Sequence, residues 1–248
     1  MVKSLRILGF AVVLSSLLMG TPTQSFAQKN YKLVTKTASQ QDKVLDLKTV
    51  QQKWAQIKYH KSLSEKEKIK ALDLLISAIK KLRAEKEQDV DLRIWHGTVL
   101  STKASLVGGL SALDDIERAK ELLEESLVLN DKAMDGFANA ILGSIYYKVP
   151  GWPIAFGDDE QALEYFKKAV LLDPYGMDSN FYYGEYLYEE GDYVEALVYF
   201  KKALDAPKRE DFPIWEEGRR QEIRSFIKQI EEQDKPLKIK PAKSLGYN

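Results

Sequence analysis

Residues 141–174 read ILGSIYYKVPGWPIAFGDDEQALEYFKKAVLLDP. Leu142, Gly143 and Tyr146 fall on one helical stripe, and Ala162, Phe166 and Ala169 recur at spacings of four and three. Those spacings keep side chains on one helix face. Pro174 stops the second helix, and the small residues Gly143 and Ala162 let two antiparallel helices approach closely. The same order returns as Gly184, Leu187, Ala196, Phe200 and Ala203, with Pro207 near the end. The two hairpins differ in one place. In 141–174 the apolar insert VPGWPIAFG separates the helices.

Working outward, Asp42 to about His60 carries Val44, Leu47, Val50, Trp54 and Ile57 at helical spacing. Ser64 and Glu67 form a capping box that opens the next helix, which bears Ala71, Leu75 and Ala78. A second hairpin begins near Asp89 with Leu92, Trp95, His96, Gly97 and Leu100, and continues through Ala119, Leu123 and Ser126. Its inner turn, SLVGGLSALDD, stands where VPGWPIAFGDD stands in the next hairpin. Insertions repeated at one place of a solenoid project from one face. Asp115, Asp158 and Asp192 each precede the repeat alanine by four residues and are expected as N-caps. The reading gives hairpins at about 42–84, 89–130, 134–174 and 177–206 and a capping helix at 213–233, in a helical repeat domain 42–234. The fold class is all-α.

Composition bounds function. The chain has 248 residues, 37 basic and 37 acidic, and no cysteine. Zero net charge argues against nucleic-acid binding. The lack of cysteine excludes disulfides, thiolate catalysis and cysteine-ligated zinc. Lys3 and Arg6 precede an apolar run from Ile7 to Met19, and Ser25-Phe26-Ala27 is a small-x-small site. A cleavable signal peptide over 1–27 is expected, cut near Ala27, because the run is shorter than the roughly 20 residues a membrane span needs. Export without a cysteine to lipidate points to the periplasm. Residues 28–41 read as a polar arm, and 235–248, rich in lysine and proline, as a disordered basic tail.

The offsets of L-G, Y, A, F and P, and the 34 residues from Ala162 to Ala196, resemble the tetratricopeptide repeat. Beyond that motif, V-P-G-W-P-I-x-F-G at 149–157, S-N-F-Y-Y-G at 179–184 and G-R-R-x-E-I at 218–223 resemble the T-component (TatT) family of TRAP-type transporter systems. The resemblance covers about half the chain, from roughly Trp95 to Arg224. It implies a periplasmic helical repeat protein that associates with a solute-binding subunit, with a hydrophobic ligand channel as the second implied use. Many such relatives carry a lipidated cysteine, which this chain lacks.

Candidate binding residues follow from the groove that first helices line. They are Tyr147, Lys148, Phe181, Glu185 and Tyr188, with Ser144, Glu189, Ile94, Thr98 and Ser101 at equivalent positions. Trp152 and Phe156 belong to the insert, where Pro150, Gly151 and Pro153 stiffen the chain and Trp is a favoured interface anchor. The competing reading has Val149, Trp152, Ile154 and Phe156 fold back to fill space between helices. Arg219 could grip a carboxylate. Structural ion pairing of Arg219 and Arg220, to Glu216, Glu222 or acids of the preceding hairpin, is favoured over that use. No catalytic set, metal-ligand set or cofactor motif is expected. The acids lie at caps and on solvated faces, and Val107-Gly108-Gly109-Leu110 follows no strand.

The function expected is a non-enzymatic periplasmic scaffold for a protein partner, a periplasmic solute-binding protein by the resemblance. The alternative is a carrier of a small apolar or amphipathic ligand in a cavity walled by Tyr147, Phe156, Phe181 and Tyr188. No nucleic acid and no membrane span are expected. A homo-oligomer is left open.

Overall fold

The structure, a computed structural model, describes residues 45–233. The readings of 1–27, 28–41 and 235–248 lie outside the described residues. Within them the chain forms α1 (Leu47–Lys58), α2 (Glu65–Glu85), α3 (Val90–Val107), α4 (Leu113–Leu129), α5 (Phe137–Lys148), α6 (Asp159–Leu172), α7 (Met177–Glu190), α8 (Tyr193–Asp205) and α9 (Pro213–Gln233), with short 3-10 turns before α4 and α5. The described residues contain no strand, and none of the helices is long and apolar enough to cross a membrane.

Local signals set most helix starts. Ser64 and Glu67 exchange side-chain and backbone bonds at the start of α2. Asp158 accepts from the Glu160 and Gln161 amides, and Asp192 from the Glu195 amide, so both cap their helices. Asp115 does not. The 3-10 turn Leu110–Ala112 runs straight into α4, which starts at Leu113 with Ala112 at the cap. Asp115 therefore falls in the first turn, where its charge suits the helix dipole. Its carboxylate takes Lys103 at 2.8 Å.

Consecutive helices pack as antiparallel hairpins, and the first helices α1, α3, α5 and α7 lie side by side. The glycines of these helices are where the partners approach. A Cβ on Gly97 would stand 2.8 Å from Leu123, one on Gly143 2.7 Å from the Phe166 ring, and one on Gly184 3.0 Å from the Phe200 ring. The architecture is an all-α stack of four hairpins.

The last helix does more than cover the end of the stack. It packs on α8 and α7 and also on α1, so it joins the fourth hairpin to the first helix. Near its start, Trp215 sits in an aromatic cluster. Its ring lies 5.4 Å from Trp54 of α1, 5.3 Å from Trp95 of α3 and 6.0 Å from Phe137 of α5. Further along, Ile223 and Ile230 are buried in a second apolar cluster with Phe181, Leu187 and Phe200. A Cβ on Gly218 would come within 2.4 Å of the Tyr59 ring, so α9 and the end of α1 meet with no room for a side chain there.

Trp215 is buried and touches three first helices, so truncating it opens a large cavity. Trp215→Ala should lower stability by about 3–5 kcal/mol, the usual cost of removing a core aromatic. Urea unfolding followed by circular dichroism measures it. A loss below about 1 kcal/mol, the average for point mutations, would contradict this placement of α9.

Candidate functional site

Two features come from the motifs singled out above: a buried polar junction around α9 and the loop at 149–157.

The junction begins with Arg219, whose side chain is 1% exposed. Its Nε donates to Asp178 Oδ1 at 2.8 Å, one terminal nitrogen to Glu222 Oε2 at 2.8 Å, and the other to the Tyr182 hydroxyl at 3.2 Å. The guanidinium stacks 4.0 Å from the Phe181 ring centre. Asp178 also accepts from Arg209, which lies 4.1 Å over the Trp215 ring. Glu222 takes Lys58 at 3.1 Å and the Tyr59 hydroxyl at 3.0 Å, both from the end of α1. Arg220 pairs with Glu216 at 2.6 Å and donates to the carbonyls of Leu204 and Ala206 at the end of α8.

This arrangement answers charge with charge. Burial pushes the Asp178 carboxyl up, but Arg209 and Arg219 outweigh it and hold the group below the usual carboxylate range. Glu222 is likewise held low against its burial, by Lys58 and Arg219. Burial lifts the Tyr182 hydroxyl to about 12, so it stays protonated near neutral pH. Each ionised group has an opposite charge in place, as buried ions require. Arg219 is thus enclosed by the protein's own carboxylates and cannot reach an external one. Phe181 is buried under it, facing the core rather than an open groove.

The other S-N-F-Y-Y-G residues are also structural. Ser179 Oγ donates to the Asp173 carbonyl at 2.6 Å, and Asn180 Nδ2 to the carbonyls of Pro174 at 3.1 Å and Gly176 at 2.7 Å. Together they tie down the turn between α6 and α7.

Tyr147, Lys148 and Glu185 do meet, between α5 and α7. Lys148 pairs with Glu185 at 3.0 Å, the Tyr147 hydroxyl donates to Glu190 at 2.8 Å, and the Tyr147 ring lies 5.0 Å from Tyr186. Tyr188 instead faces α9, with its ring 5.0 Å from Phe226 and its hydroxyl donating to Gln229 at 3.2 Å. Phe156 packs elsewhere, 5.6 Å from Tyr146 and 5.3 Å beneath the Lys120 ammonium. Phe181 and Tyr188 share Phe226 as a ring neighbour, whereas Tyr147 and Phe156 lie against other rings, Tyr186 and Tyr146. A recess of ≈ 220 Å³ lies between α1 and the start of α9, lined by Gln52, Ala55, Gln56, Phe212, Pro213, Ile214 and Trp215. None of the four is among its walls.

The loop at 149–157 has a packed base and a bare tip. The Gly157 amide donates to the Pro150 carbonyl at 2.9 Å and the Asp158 amide to the Tyr146 carbonyl at 3.0 Å. These bonds pinch the base shut. A Cβ on Gly157 would lie 1.8 Å from the Val149 carbonyl oxygen, so the closure requires glycine. Val149 and Phe156 are half-buried against the core. At the tip, the Gly151 carbonyl accepts from the Ile154 amide at 3.1 Å and the Ala155 amide at 3.3 Å. Trp152 projects there 90% exposed, and Ile154 is 54% exposed. Of the four apolar side chains, two fold back and two do not.

The inner turns of hairpins two, three and four lie at one end of the stack. Leu110 in the turn of the second hairpin and Val194 in the first turn of α8, just after the turn of the fourth, are 70% and 79% exposed. The described residues hold no cluster of three or more histidine and carboxylate side chains that could ligate a metal ion. No protein-family model and no curated protein matches the chain.

The expected ion pairing of Arg219 and Arg220 with Glu222, Glu216 and an acid of the preceding hairpin is what forms, the acid being Asp178, whereas sequence reasoning missed Lys58 and Tyr59 of the α1 end as members of the junction. The pairing had one signal: an acid on the first turn of a first helix, followed in α9 by two adjacent arginines.

Asp178→Asn removes the carboxylate shared by the buried Arg219 and the half-buried Arg209, which should cost about 3–5 kcal/mol at pH 7. Because the folded pKa is depressed, the contribution is complete above the unfolded value near 4 and fades as pH falls through the lower folded value. The gap in urea midpoint between wild type and variant should therefore narrow at about pH 3. An equal gap at both pH values would show that the Asp178 charge is not what stabilises the junction.

Proposed function

We propose that this chain is a non-enzymatic, tetratricopeptide-type scaffold of the periplasm that captures a protein partner through the apolar tip of the 149–157 loop. By the resemblance of its three motifs, the partner is the solute-binding subunit of a TRAP-type transport system. The observation that carries this reading is Trp152, 90% exposed on a loop whose base is closed by backbone hydrogen bonds.

An exposed tryptophan on an ordered segment is unusual unless something covers it. Burying a large apolar side chain contributes roughly 1.5–3 kcal/mol, and aromatic anchors dominate many interfaces. Order in the free protein lowers the entropic cost of docking. Ile154 on the same loop, and Leu110 and Val194 at the inner-turn ends of the neighbouring hairpins, are further apolar side chains left in solvent. The Lys148–Glu185 and Tyr147–Glu190 pairs supply polar contacts on the adjacent first helices. The Arg219–Arg220 pair plays no part in this reading, because the protein consumes its hydrogen bonds internally.

Capture from envelope extract by immobilised protein tests the reading. Wild type should recover a solute-binding subunit, and Trp152→Ala should lose it while its stability stays within about 0.5 kcal/mol, as for other surface changes. Phe156→Ala, at the packed base, should instead lower stability measurably. Capture by Trp152→Ala equal to wild type would overturn the role of the loop tip.

A further inference from the structure

Seven buried side-chain polar atoms among the described residues have no hydrogen-bond partner, and three of them belong to neighbouring side chains where α2 meets α3: Arg83 Nε, Arg93 Nε and His96 Nε2. Buried polar groups left unanswered in this way call for an explanation, an ion or water being the usual one. Arg83 stands at the end of α2. Arg93 and His96 lie one turn apart on the same face of α3.

Donor and acceptor roles can be assigned. An Arg83 terminal nitrogen lies 2.9 Å from His96 Nδ1. A guanidinium only donates, so Nδ1 accepts and the ring proton sits on Nε2. All three orphaned atoms are therefore donors, and what they lack is an acceptor.

The charges say which kind. Arg93 pairs with Glu125 of α4 at 2.5 Å and donates to the Glu87 carbonyl at 2.9 Å. Arg118, also on α4, pairs with Glu121 at 2.7 Å and reaches Glu125 at 3.8 Å. Arg83 makes no ion pair among the described residues; the imidazole is its hydrogen-bond partner. Burial, then Arg93 and Arg118, lower the Arg83 pKa against the pull of Glu125 and Glu87. The His96 imidazole is pushed down to about 3 by burial, then by Arg83, Lys80 and Arg118, all cations. Three helices thus bring three guanidiniums and a lysine to a patch where the acids are already engaged or fewer.

We propose that this patch is a binding site for a small oxyanion, a phosphate or a carboxylate, held by the Nε–H groups of Arg83 and Arg93 with Arg118 as a flanking charge. Arginine presents paired N–H groups that match both oxyanions. His96 holds Arg83 in place and offers the third unanswered donor of the cluster. Glu125 competes with the ligand for Arg93. The site is separate from the loop tip and does not depend on the partner-binding reading.

The test uses phosphate-free protein with ionic strength held by sodium chloride. Arginine Nε–H and His96 ring signals are followed by NMR while inorganic phosphate, and in a second series succinate, is added. Saturable shifts at Arg83, Arg93 and His96 are expected. R83Q should weaken binding by about tenfold or more, a difference of about 1.4 kcal/mol. E125Q, at a half-exposed position that tolerates the change, should tighten it. Phosphate alone giving the response identifies a phosphate-type ligand, and succinate giving it identifies a carboxylate such as a chain terminus; both support the site. No saturable shift with either anion leaves water as the acceptor and overturns it. So does an affinity that neither R83Q nor E125Q moves.

Discussion

The contact on which the rest of this structure depends is the pairing of Arg219 with Asp178 in the protein's interior. A guanidinium that is 1% exposed is tolerable only with its N–H groups answered, and Asp178, Glu222 and Tyr182 answer them. Asp178 lies on α7, and Glu222 is joined in turn to Lys58 and Tyr59 at the end of α1. Satisfying one arginine therefore fixes α9 against the first and fourth hairpins at once. Hydrophobic contacts alone would let α9 slide. The directional bonds set its register, and Trp215 then falls among Trp54, Trp95 and Phe137.

That placement determines which surfaces remain open. With α9 lying over α1 and α7, Phe181, which a bare hairpin stack would present to a ligand, becomes interior, and Arg219 of α9 is enclosed with it. The large apolar side chains left in solvent include those at the inner turns, and Trp152 is the most exposed of these. Its loop is held at the base by the Gly157 and Asp158 amides and by Phe156 against Tyr146. Rigid base and bare tip are the two properties an anchoring loop needs, and both come from nine residues.

The hairpins were legible because their physics is local. Helical spacing, small residues at close approaches and side-chain caps depend on neighbours within a few positions. Gly143 against Phe166 and the Ser64–Glu67 box follow directly from the pattern. Asp115 shows the limit, since a 3-10 turn upstream moved the helix start and left it inside α4. The path of α9 was not legible. Its apolar stripe says that one face is buried but not against what, and the answer depends on partners 41 residues away at Asp178 and 163 away at Tyr59. The loop was half-legible. Its composition announced order and apolar area, whereas the division into half-buried Phe156 and bare Trp152 depends on how the closed base aims each side chain.

The central claim is that the loop is built before any partner meets it. Amide hydrogen exchange on the free protein tests it most directly. The Gly157 and Asp158 amides, bonded to the Pro150 and Tyr146 carbonyls, should exchange far more slowly than in an unstructured peptide, while the solvent-facing Trp152 amide region exchanges quickly. Exchange of Gly157 and Asp158 at the unstructured rate would mean that the loop acquires its shape only on binding, and would contradict the account.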